Sequence, residues 1–205
     1  MSHYLSVDFI SSCASLISTL FFARASQWGW PAGMVSTSVN AYLYYRIGLY
    51  GELGLEALYF LSMFYGWYEW RHGGRQHRAL PIRYARPRLK ILLVILGSVG
   101  IVICTLFLEN MTDSKVPLWD GSTTAVSLIG QWLTCQKYME CWMVWFVVDA
   151  LYLGLYVYKG VPFHALKMAV YLVIALMGYW CWRQLWIEQS SRSLYNKTHG
   201  CSISS

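Results

Sequence analysis

The sequence is poor in charge. Only 13% of its 205 residues are Asp, Glu, Lys or Arg, against 57% hydrophobic, and the mean hydropathy is +0.38. Soluble domains carry about 25% charged residues, so a water-soluble fold of this size would lack the charge to cover its surface. Catalytic constellations are missing too: there is no Ser/His/Asp grouping, no glycine-rich phosphate loop and no cluster with metal-ligand spacing. Without a P-loop, ATP hydrolysis by that mechanism is excluded for this chain. The reading is therefore not an enzyme, with no cofactor and no metal. The six cysteines, Cys13, Cys104, Cys135, Cys141, Cys181 and Cys201, contain no C-x-x-C pair and read as small buried hydrophobes.

Seven segments are apolar for about the 20 residues that a membrane span needs: 5–23, 29–48, 51–70, 89–108, 119–136, 139–158 and 162–183. Ala23-Arg24-Ala25 resembles a signal-peptide cleavage site, but no base precedes the first segment and further spans follow, so it reads as a retained helix. Lys and Arg number 16 against 10 Asp and Glu. Seven of the bases lie between Arg71 and Lys90, which marks a cytoplasmic loop rather than a nucleic-acid surface. With that loop at 71–88 inside, the N-terminus is outside and the C-terminus inside. Arg24, Lys137, Arg183, Arg192 and Lys197 then also fall inside, while Arg46, Lys115, Lys159 and Lys167 fall outside or near the outer ends. Pro31 falls in the first turn of its helix, where its missing N–H is harmless.

The sequence also resembles itself. Shifted by 112 positions, Trp30–Trp70 lies on Trp142–Trp182 without a gap, with identities at Trp30/Trp142, Leu43/Leu155, Tyr44/Tyr156, Gly48/Gly160, Ala57/Ala169, Tyr59/Tyr171, Gly66/Gly178 and Trp70/Trp182. Asp8/Asp120 and Ser15-Leu16-Ile17/Ser127-Leu128-Ile129 extend the match. Two three-helix units joined directly would be inverted. The extra span at 89–108 restores the same orientation, giving a 3+1+3 all-α membrane protein of parallel repeats, 5–70 and 119–183, with a cytoplasmic tail over 184–205. Transporters built this way hold substrate near the midplane between the repeats.

An ionisable side chain at the centre of a span costs about 2.5–3.5 kcal/mol on translocon scales and is a functional candidate by default. Trp142, Trp145 and Asp149 stand at i, i+3 and i+7, one helical stripe. Two indoles and a carboxylate on one face suit a flat, preferably cationic ring. The alternative is that the indoles pack helices and Asp149 bonds a neighbouring helix. Glu56, with Tyr59 one turn on, Asn40 near Ser36, and Gln131 can line the same cavity or serve only as interhelical bonds. Glu140 reads as an exposed or capping residue, and Lys167 as snorkelling.

Trp30-Pro31-x-Gly33, Leu49-Tyr50, Leu55-Glu56-Ala57-Leu58-Tyr59 and Tyr65-Gly66-Trp67-Tyr68-x-Trp70 resemble the first half of PnuC-type vitamin transporters. Leu118-Trp119-Asp120, Lys137-Tyr138-x-Glu140-x-Trp142-x-x-Trp145-x-x-x-Asp149 and Gly178-x-x-x-Trp182 resemble the second. The resemblance covers essentially the whole chain. It implies a multi-pass inner-membrane relative of the SWEET carriers, with seven helices, a homotrimeric assembly and facilitated diffusion of nicotinamide riboside, trapped by phosphorylation. The chain departs from that pattern where Glu56 and Asp149 replace amides and where Met177 and Cys141 replace asparagines. Two carboxylates would equally suit thiamine, which other members carry. A non-transporting membrane scaffold is the reading of another class.

Overall fold

The computed structural model describes residues 2–47, 50–74, 77–111, 116–158, 160 and 162–199. They form seven α-helices: α1 (Ser2–Ala23), α2 (Gly29–Ile47), α3 (Tyr50–His72), α4 (Pro87–Met111), α5 (Pro117–Cys135), α6 (Cys141–Tyr158) and α7 (Pro162–His199). α4, α5 and α7 each begin on a proline, whose fixed φ suits the first helical position and whose missing N–H would go unused there. Six helices end within a few residues of their apolar segments. α7 instead runs on to His199, because no Gly or Pro interrupts 184–199 to stop it. The stretch expected to be a tail is thus helical as far as His199.

α1, α2, α3, α5, α6 and α7 pack in that order into a closed ring, completed by contact between α7 and α1. α4 stands outside the ring and packs only on α5 among the described helices. It is also the most apolar helix, with a mean hydropathy of 2.9 over its window, of which only 6% is buried. Such a surface calls for lipid. Among the described residues three helices, α4, α6 and α7, are long and apolar enough to cross a membrane by length and composition. α2 and α3 carry polar residues both on the cavity wall, Thr37, Asn40 and Glu56 among them, and on exposed faces, such as Ser38, Arg46 and Arg71.

The basic segment between α3 and α4 is anchored on the ring by its apolar residues, while Arg78 and Arg86 stay exposed. Leu80, Ile82 and Ala85 are buried. Arg83 forms a short parallel bridge to the α5–α6 turn, its N–H donating to Lys137 O (3.2 Å) and its carbonyl accepting from Met139 N (2.9 Å). Its guanidinium donates to Gln136 Oε1 at 2.7 Å and lies 4.5 Å from the Tyr138 ring centroid. Glu140 is not an exposed residue. Its side chain turns back to this segment, pairs with Lys90 Nζ at 2.7 Å and accepts from Ala85 N at 3.0 Å.

The core gathers at the same end of the ring. Trp30 and Trp182 are fully buried, and Trp70 and Trp142 nearly so. Edge-to-face contacts join them in a row: Trp30 to Trp70 at 5.3 Å, Trp70 to Trp182 at 5.8 Å and Trp182 to Trp142 at 5.5 Å. Such pairs contribute about 0.5–1.5 kcal/mol each beyond area burial. Two glycines make room for them. A Cβ on Gly66 would come within 2.1 Å of Trp30, and one on Gly178 within 2.6 Å of Trp142.

Candidate functional site

The ring of six helices encloses a cavity of about 370 Å³. All seven residues singled out from the sequence line it: Asn40 on α2, Glu56 and Tyr59 on α3, Gln131 on α5, and Trp142, Trp145 and Asp149 on α6. Their roles differ. Trp142 is mostly absorbed in the aromatic row, yet its indole N–H is buried without a partner among the described residues. Trp145 is fixed by donating Nε1–H to Thr134 Oγ1 at 3.0 Å, and its ring lies over Gly130. Asp149 is half-buried and lines the cavity wall one turn above Trp145.

Facing this aromatic stripe is a polar network. Ser11 Oγ–H donates to Asn40 Oδ1, and Asn40 Nδ2 donates to Glu56 Oε1 at 3.0 Å. Tyr59 and Ser127 hydroxyls meet at 2.7 Å, and Gln131 Nε2 donates to Ser62 Oγ at 2.8 Å. Glu56 therefore already has an amide partner, which holds it at the wall. Burial falls along the cavity: Gln131, Thr134, Trp142, Met63 and Ala175 are buried, whereas Asn40, Tyr44, Glu56, Tyr59 and Tyr152 are partly exposed. The aromatic row floors the cavity at the basic-segment end, and its mouth lies at the opposite end.

Sequence reasoning missed Thr19, Thr37, Tyr152 and Tyr171, which also line the cavity. The signal was present in the 112-residue shift, which lays Thr19 on Gln131, Thr37 on Asp149, Asn40 on Tyr152 and Tyr59 on Tyr171. In all, twenty of the twenty-four described residues that line the cavity form pairs with that spacing. Two departures prove unconnected with the site. Met177 faces outward and Cys141 is packed in the core, and neither lines the cavity.

The shift also relates the bonds that tie the ring across its middle. Trp70 Nε1 donates to Thr134 O at 2.9 Å, and Trp182 Nε1 donates to Phe22 O at 2.8 Å. Each indole is thus anchored on the backbone of the opposite half.

The sequence matches the family model described as nicotinamide mononucleotide transporter over residues 5–184. It is 24% identical to the nicotinamide riboside transporter PnuC of Escherichia coli (strain K12), covering 79% of this chain and 78% of the relative. It is 23% identical to the riboflavin/roseoflavin transporter RibM of Streptomyces davaonensis, covering 91% and 87%. The crystal structure of the vitamin B3 transporter PnuC superimposes with a TM-score of 0.71 at 27% identity, over 91% of this chain and 83% of that one.

Proposed function

This chain belongs to the nicotinamide mononucleotide transporter family, and from that premise we propose that it carries nicotinamide riboside across the inner membrane by facilitated diffusion. The observation that carries the reading is the pairing of Trp145 with Asp149 on one wall of the cavity. The pyridinium ring is flat and cationic. It stacks on the indole and pairs with the carboxylate, while the ribose hydroxyls meet the wall bearing Asn40, Gln131 and Tyr59. The PnuC relatives and the solved vitamin B3 transporter support this choice of solute.

In this reading the seven helices all span, with the basic segment and C-terminus cytoplasmic, so the cavity faces outward. The 112-residue spacing of the lining residues supports two parallel three-helix repeats about a central axis, with α4 as the linker. Transport then requires the halves to rock until the aromatic row parts and the mouth closes. Phosphorylation inside the cell would keep the riboside from returning.

A second reading, thiamine, rests on Glu56 and Asp149 as carboxylates. Calorimetry of the purified protein with both vitamins separates the two, alongside counterflow in liposomes. Riboside binding that weakens in Asp149→Asn, with matching counterflow, is the expected result. Thiamine binding alone would transfer the assignment to the second solute, and a protein that binds and equilibrates neither would be a scaffold.

A further inference from the structure

A second cavity, of about 680 Å³, opens at the basic-segment end beneath the aromatic row. The α1–α2 turn, the end of α3 and the α5–α6 turn enclose it, and its lining includes Ser26, Gln27, Trp70, Arg71, His72 and Lys137. Three of these are basic or become so on protonation, and among the described residues no carboxylate lines it. The nearest one along α3, Glu69, is folded against Gly73 instead.

Lys137 is the telling residue. It is only 9% exposed, and it sits in the left-handed backbone region (φ 56°), which side chains rarely adopt. Its ammonium lies 4.3 Å from the Trp70 ring centroid, and among the described residues it has no ion pair. Burial lowers its pKa from 10.5 to about 8. A cation on an indole face is partly compensated, but a buried charge with no counter-ion is ordinarily neutralised or paired. Arg71, which lines the same cavity, is held by Nε–H donation to Gln27 Oε1 (2.9 Å) and by Trp67 at 5.1 Å. Among the described residues, that leaves the two terminal nitrogens of its fork, the geometry suited to a phosphate.

We propose that this cavity binds a phosphate-bearing anion between Lys137 and Arg71. Its volume exceeds that of inorganic phosphate and admits a phosphomonoester with an organic group against the Trp70 wall. The site is distinct from the central cavity and does not depend on which solute is carried. Because it opens where headgroups would lie, the phosphate could come from solution or from a lipid.

The test titrates the detergent-purified full chain with inorganic phosphate and with adenosine monophosphate, following melting temperature and tryptophan fluorescence. Nanodiscs of neutral phosphatidylcholine, with and without phosphatidic acid, form the second arm. We expect a saturable shift that weakens at least tenfold in Lys137→Met and in Arg71→Gln. Without anion, Lys137→Met should melt higher than the parent, because a buried charge is gone, so its loss of binding cannot be unfolding. A shift from free phosphate identifies a soluble ligand, and one seen only with phosphatidic acid and lost in Lys137→Met identifies a headgroup. No saturable shift in either arm, or one undiminished in Lys137→Met, overturns the proposal.

Discussion

The two halves of the ring, α1–α3 and α5–α7, share their scaffold and differ in their chemistry. Trp30 on Gly66 is matched by Trp142 on Gly178, and Trp70 by Trp182, down to the indole donating to a backbone carbonyl across the ring. The cavity faces of the same helices have parted. The first half presents Gly33, Ser36, Asn40 and Glu56 at positions where the second presents Trp145, Val148, Tyr152 and Met168. Ser15 and Ser127, and Tyr59 and Tyr171, remain alike, so the two walls differ chiefly in the aromatic residues Trp145 and Tyr152 of the second half. Close packing at the floor tolerates little change, whereas the wall is held by a few side-chain hydrogen bonds, Asn40 to Glu56 and Gln131 to Ser62 among them, and otherwise faces open cavity.

The comparison breaks most sharply at the glycines. Gly66→Leu drives a side chain into Trp30 and should cost about 3 kcal/mol or more, a fall of roughly 6–12 °C in Tm by differential scanning calorimetry. Gly54→Leu, on the same helix with nothing within 4 Å of its Cβ, should leave Tm unchanged. A similar fall in both would mean that α3 resists bulk everywhere. Next comes Asp149→Asn. Loss of a charge-assisted contact of about 2 kcal/mol predicts roughly thirtyfold weaker riboside binding by calorimetry. The exchange Thr37→Asp with Asp149→Thr moves the carboxylate to the corresponding position of the other half. Binding above that of Asp149→Thr alone is expected if the two walls are related by an axis through the cavity. Trp70→Phe and Trp182→Phe each remove one hydrogen bond and leave a small void in the floor, about 2 kcal/mol together, and unequal losses in Tm would show that the halves do not bear the floor alike. Glu140→Gln should do least. Lys90 is half exposed, so the lost ion pair amounts to under about 1 kcal/mol.

Seven helices were legible because a span imposes a length of apolar chain that nothing else in the sequence imitates. The site residues were legible for the same reason inverted, since Asp149, Glu56 and Gln131 are polar where polarity is costly. Tyr152, Tyr171, Thr19 and Thr37 carry no such mark, because a tyrosine or threonine fits a lipid-facing or helix-packing surface as readily as a cavity. Only the internal shift distinguishes them. The anchoring of the basic segment on the ring was not legible either. Leu80 and Ile82 are too few to signal packing, and Arg83 meets Gln136 only through the fold. Glu140 was misread on the same account, its partner Lys90 lying fifty residues earlier and at the start of another helix.

The indoles of Trp70 and Trp182 bond to the main chain at Thr134 and Phe22, not to those side chains. Both side chains nevertheless line the central cavity. Both acceptors are main-chain oxygens, so these two hydrogen bonds do not depend on which side chain stands at either position. The side chains add ties of their own, the Phe22 ring packing edge-on against Trp30 and Trp70 and Thr134 Oγ1 accepting from Trp145, so a change of wall at these two positions keeps the joint's bonds while altering the packing around them.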